Sequence, residues 1–177
     1  LEADGAGYDS SVFPCPAYYG AKVAAIGAIG VRAALGRGEP SHSIVDDPRV
    51  LSPPADPYRI GRPYWRRGGG LLELPIGVTR GPRLPYIGTS VVLAGTRGAD
   101  WLSRAMVGRP LVNLELHGID LADADEDGLG ALAPYQPDLR VDAEGKERAL
   151  RAAIHRLRAE GYRFVRLADA AEHFAAQ

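Results

Sequence analysis

Proline and glycine punctuate this chain so heavily that regular structure has few places to form. The 177 residues include 22 Gly and 14 Pro. Pro40, Pro48, Pro53, Pro54, Pro57 and Pro63 all fall between residues 36 and 70. Each removes a backbone donor and fixes φ, so a long regular element is excluded there, and the stretch reads as an excursion that wraps a surface or carries function. Before it, residues 17–35 place Ala, Val and Ile at helical spacing, with Gly20, Gly27 and Gly30 each costing that helix about 1 kcal/mol relative to Ala. After it, Leu71-Leu72-Glu73-Leu74-Pro75-Ile76-Gly77-Val78 reads as a strand, Pro75 favouring an edge or a bulge.

The second half alternates more regularly. Residues 99–107 suggest a short helix with Asp100 near its start and Trp101 facing the core, and residues 111–117 suggest a strand. Residues 146–160 are amphipathic, with Leu150, Ile154 and Leu157 on one face, Glu147 four residues before Arg151, and Gly161 as the stop. A strand over 162–167 and a short helix over 169–174 complete the pattern. Strand, helix, strand, helix implies parallel pairing through right-handed crossovers, an α/β fold. A chain of this length buries one core, so residues 1–177 are taken as a single domain.

Composition narrows the partners. With 21 basic and 22 acidic residues and a net charge of −1, nothing attracts the chain to nucleic acid or an anionic membrane. No apolar run approaches the roughly 20 residues that span a bilayer. Cys15 is the single cysteine, read as a packed thiol rather than a nucleophile. The opening Leu-Glu-Ala-Asp-Gly-Ala-Gly-Tyr resembles a helix tail stopped by glycine and feeding a strand, which sets the expectation of further residues upstream.

Chemistry concentrates in Leu111-Val112-Asn113-Leu114-Glu115-Leu116-His117-Gly118-Ile119-Asp120, where an apolar run delivers a histidine at the point where a strand ends. Strand carboxyl ends are where α/β folds put proton transfer and metal ligation. Two other patterns attract attention and fail. Ser41-His42-Ser43-Ile44-Val45-Asp46-Asp47 offers His and Asp at a metal-ligand spacing but lies in the proline-rich excursion, and a solvated loop is the better reading. Asp123-Ala124-Asp125-Glu126-Asp127-Gly128 matches the first half of a calcium loop, yet the twelfth position, where a bidentate Glu is needed, is Pro134. His155 sits beside Arg151 and Arg158 on a solvated helix face, and His173 has no acidic partner nearby in sequence. Tyr58-Arg59-Ile60-Gly61-Arg62-Pro63-Tyr64-Trp65-Arg66-Arg67 can anchor the excursion to the core or stack against sugar rings, with anchoring preferred.

Three stretches carry a family resemblance: Gly7-Tyr8-Asp9-Ser10-Ser11-Val12-Phe13-Pro14, Gly70-Leu71-Leu72-Glu73-Leu74-Pro75, and Leu114-Glu115-Leu116-His117-Gly118-Ile119-Asp120. Together they resemble the C-terminal portion of the polysaccharide deacetylase family, the carbohydrate esterase family 4 type. Members associated with hopanoid or lipid-glycan pathways look most similar, through His117-Gly118-Ile119-Asp120-Leu121 and Gly161-Tyr162-Arg163-Phe164-Val165. The resemblance implies the C-terminal part of a distorted (β/α) barrel with long Pro/Gly-rich loops, and hydrolytic deacetylation of an N-acetylated sugar or glycan at a divalent metal, usually zinc. It implies His117 as the general acid and Asp9 as the carboxylate that orients its imidazole, with Asp120 as the alternative orienting partner.

The family's metal ligands, an early Asp-Asp and a His-Ser/Thr-x-x-His pair, do not precede Asp9 in this chain. Zinc is therefore expected only together with a missing N-terminal half, and association with that half or with a second copy is expected as well. The alternative function is a non-catalytic glycan-binding or subunit-interaction domain without a metal site.

Overall fold

The computed structural model describes residues 5–20 and 53–177. The helix expected over 17–35 falls mostly outside them, residues 16–20 being helical. The fold is mixed α/β. Its sheet has three strands in the order β1-β3-β2, namely β1 (Tyr8–Asp9), β2 (Tyr58–Ile60) and β3 (Arg67–Glu73). β1 runs parallel to β3, with Tyr8 opposite Leu72 and Asp9 opposite Glu73. β2 runs antiparallel, its register shifting between Arg59 and Ile60.

β3 begins at Arg67, four residues earlier than the apolar pattern suggests. Glycine explains this, because a Cβ at Gly68 would stand 2.5 Å from the Gly61 Cα and one at Gly70 would stand 2.8 Å from the Ile60 carbonyl oxygen. Only bare backbone permits that approach between β2 and β3. β3 is the central strand rather than an edge, and Pro75 lies beyond its end, where a missing N–H removes no ladder bond. The excursion, expected to be irregular, contains β2 and the start of β3.

Helix α1 (Gly88–Arg104) is longer than the expected 99–107, which matches only its second half. Gly95, with φ 63° and ψ −176°, breaks it in the middle. Ala99, Leu102 and Ser103 take the buried face, which turns Trp101 outward, 56% exposed rather than in the core. Helix α2 (Ala143–Ala159) starts at the Asp142 cap, whose carboxylate accepts the Gly145 N–H, and Gly161 follows its end at φ +88°. The Glu147–Arg151 pair forms at 2.6 Å. Val91, Val92, Leu102 and Met106 interleave with Ala149, Leu150, Ala153 and Leu157 in the main core. Helix α3 (Leu167–Ala175) closes a smaller core in which Ala171 meets Leu72 and Leu74.

The two later strands expected from the sequence do not form. Residues 111–117 are extended but paired only through a single parallel bridge, Ile87 with Glu115, and the Gly77 N–H bonded to the Asn113 carbonyl. Residues 162–166 have no strand partner among the described residues. An extended run becomes a strand only beside another about 4.8 Å away. These two instead line one apolar groove of about 960 Å³, so the parallel pairing expected of the C-terminal unit is not made.

Candidate functional site

The parallel pairing of β1 and β3 brings two carboxylates together. Asp9 and Glu73 are the last residues of their strands and stand opposite each other in the register, at the carboxyl ends where α/β folds concentrate chemistry. Both line a cavity of about 270 Å³ together with Ser11, Phe13, Tyr19 and Tyr64.

Their surroundings differ. The Asp9 carboxylate accepts the Ser10 N–H at 2.8 Å and the Ser11 hydroxyl at 2.9 Å. Glu73 is 1% exposed, and its Oε1 accepts the backbone N–H groups of Ser11 at 3.2 Å and Val12 at 3.0 Å, while its Oε2 has no hydrogen-bond partner. Burial pushes the Glu73 carboxyl above its ordinary value of 4.5; the Val12 N–H opposes that shift, the Asp9 charge adds to it, and the Ser11 N–H opposes it. The neighbouring Tyr58 phenol is pushed up to about 12, first by burial and then by the Glu73 charge. Its hydroxyl donates to the Tyr64 carbonyl at 3.0 Å. The aromatic run thus divides its roles, Tyr58 anchoring the excursion and Tyr64 facing the cavity.

His117 stands elsewhere. Its side chain is 62% exposed, with Nε2 4.0 Å from Glu115 Oε1 and Nδ1 3.8 Å from Asp120 Oδ2, both longer than a hydrogen bond. No hydrogen bond or ion pair joins it to Asp9, and it lines neither cavity nor groove. Asn113, four residues earlier, does reach the β1/β3 end: its Nδ2 donates to Ser10 Oγ at 2.9 Å and to the Leu74 carbonyl at 3.0 Å. The extended 111–117 segment is therefore fastened beside the carboxylates by a side-chain amide.

Asp120 has a structural task. Fully buried, it accepts the Thr89 hydroxyl at 2.9 Å and the His117 N–H at 2.8 Å. Helix α1 has no acidic residue in its first turn and no side-chain cap at Ile87, so Asp120 places a negative charge at its positive end. The same turn is tied from the other side by buried Lys146, whose ammonium donates to the carbonyls of Ile119 and Ala122.

The acidic stretch is a turn. Asp123 accepts the N–H groups of Asp125, Glu126 and Ala143, and the first two, with Glu126 foremost, hold its carboxyl below the usual range together with Ala143. His155 is exposed, and His173 pairs with Gln177. Cys15 is a buried free thiol donating to the Arg83 carbonyl, pushed up in pKa by burial. His42, Asp46 and Asp47 lie outside the described residues.

Among the described residues no three His, Cys, Asp or Glu side chains come together as a metal-holding group. Asp9 and Glu73 supply two carboxylates without the imidazoles that zinc favours, so this donor set does not fit the metal the resemblance implies. No helix among the described residues is long and apolar enough to cross a membrane.

Glu73 is the residue that sequence reasoning missed. Its signal was a lone acid inside Leu71-Leu72-Glu73-Leu74, a run apolar enough to be buried on both faces, where an ionisable group needs a reason. No family model, no curated protein and no solved structure matches this chain.

Proposed function

We propose that this chain supplies the acid–base side chains and part of the substrate groove for hydrolytic deacetylation of an N-acetylated sugar, as the C-terminal part of a distorted (β/α) barrel of the polysaccharide deacetylase type. The observation that carries the reading is the Asp9–Glu73 pair at the ends of two parallel strands, lining a cavity with Tyr19 and Tyr64. Aromatic faces suit pyranose rings, and amide hydrolysis needs one group that accepts a proton and another that returns one to the leaving nitrogen.

In this reading Asp9 meets the substrate in the cavity, and His117, exposed outside it at the end of the segment fastened by Asn113, is the general acid for a substrate that extends beyond the cavity. The chemistry that the resemblance assigns to zinc, polarising an amide carbonyl and activating water, would need ligands other than Asp9 and Glu73. A polypeptide partner belongs to the same reading, either a second copy or the part of a barrel that carries metal ligands. The open apolar groove beside 111–117 supports it.

The test is acetate release from an N-acetylglucosamine oligomer with zinc present, by this chain and by the product of the whole reading frame containing it. Release by the latter is expected, lowered about 100-fold or more by His117→Ala and by Asp9→Asn. If neither protein releases acetate while the oligomer still binds, the non-catalytic glycan-binding alternative replaces hydrolysis.

A further inference from the structure

Two carboxyl groups side by side raise the question of what they hold when, among the described residues, neither pairs with a cation. Asp9 has its oxygens engaged by Ser10 and Ser11, yet it still lines the cavity with accepting capacity left. Glu73 has spent only Oε1. Its Oε2 is buried, unpartnered and part of a side chain that lines the same cavity. Leaving such an atom unsatisfied in a native interior is destabilising, and a ligand group can relieve it.

We propose that Asp9 and Glu73 form a donor–acceptor subsite for a neutral amide: the Glu73 carboxyl donates through Oε2 to the amide oxygen, and the Asp9 carboxylate accepts the amide N–H. The inference rests on the reading above that this cavity receives the N-acetyl group of a sugar, and it names the residues that select it. The cavity, about 270 Å³, lies just below the usual range of drug-sized pockets and accommodates one sugar ring or less. Glu73 can donate only while it carries its proton, and both burial and the adjacent Asp9 charge favour that form. A hydroxyl aimed at the amide oxygen also draws charge onto that oxygen, as a donor to a developing oxyanion must.

Among the described residues the titratable and charged groups near Glu73 are few. Asp9 comes from β1, Tyr58 from β2, Tyr64 from the turn that follows, and Arg67 from the start of β3, its guanidinium 5.9 Å from the centre of the Tyr58 ring. Tyr19 completes the cavity wall. With Tyr58 pushed up to about 12, Glu73 is the group whose proton governs ligand binding above its ordinary value of 4.5.

The experiment is NMR titration of the chain, labelled with ¹³C at glutamate carboxyls, with acetamide and with N-acetylglucosamine, across a pH series that rises from 4.5. Expected are a ligand-induced shift of the Glu73 carboxyl signal and an affinity that falls about tenfold per pH unit once Glu73 ionises, because only the protonated fraction binds. Glu73→Gln keeps the Oε1 acceptor for Ser11 and Val12 and presents a permanent N–H donor, so it should bind with affinity independent of pH over the same range. Glucosamine, which lacks the amide, should bind at least tenfold more weakly. An affinity that does not change with pH in the unaltered chain, loss of binding in Glu73→Gln, or equal binding of glucosamine each overturns the proposal. Binding requires no turnover, so pH-dependent amide binding without acetate release discards the hydrolytic reading alone, whereas acetate release with pH-independent binding discards this one alone.

Discussion

Glu73 concentrates the tension between folding and chemistry at the scale of a single residue. Its carboxyl titrates above the ordinary value of 4.5 in the folded chain because burial disfavours its charged form. A raised folded value means that the stability it contributes is fully present below 4.5 and is lost as pH rises through the folded value. Glu73→Gln removes that proton equilibrium. The melting temperature of Glu73→Gln minus that of the unaltered chain should therefore increase from pH 4.5 upward and then level off, as read by thermal denaturation at matched ionic strength. A difference that stays constant with pH would show that burial does not perturb this carboxyl. Asp9 was named through the family resemblance, as the partner of a histidine that the fold leaves elsewhere, whereas Glu73 was hidden in an apolar run whose parallel neighbour cannot be read from one sequence.

Elements were legible in proportion to how local their causes are. Helix α2 is specified by its own residues, with the Asp142 cap, the Leu150 and Leu157 face, the Glu147–Arg151 pair and the Gly161 stop all in one window. Helix α1 is not, since its first half depends on Tyr86 and Val91 packing against α2 and on a charge contributed from elsewhere in the chain. The expected strands over 111–117 and 162–167 illustrate the same point from the other side. Neither forms a strand, and Leu167 opens helix α3 instead, because a strand is a property of a pair, and pairing depends on placement.

What holds 111–117 near the sheet is a narrow approach at Gly77, where an added Cβ would stand 2.6 Å from the Asn113 carbonyl oxygen. Gly77→Ala should cost about 1–3 kcal/mol in chemical denaturation. It should also weaken the Asn113 contacts with Ser10 and Leu74, seen as faster exchange of the Gly77 and Tyr86 amides, which now bond to Asn113 and Gly77. Unchanged exchange and stability would mean the segment gives way freely.

Across the whole molecule, the polar cavity and the apolar groove are separate features with different expected behaviour. The groove exposes Leu116, Leu121, Phe164 and Val165. Contiguous apolar surface of this sort binds amphiphilic dyes even in a fully folded protein. Anilinonaphthalene sulfonate fluorescence should rise on mixing with the unaltered chain, and Phe164→Ser should lower that rise at least twofold with the circular dichroism spectrum unchanged. Equal fluorescence in the variant would place the dye elsewhere. The mixed α/β class was legible from alternating periodicity, but sheet order was not, because β3 takes its place through Gly68 and Gly70, which a hydrophobic pattern does not register.

The charge that Asp120 lends to the start of α1 comes from 31 residues further along the chain. During synthesis the helix leaves the ribosome before its counter-charge exists, and at about 5–20 residues per second the interval is on the order of seconds. Over that interval the first turn of α1 lacks its counter-charge, and the residue that brings it is the same one that holds the His117 backbone in its turn.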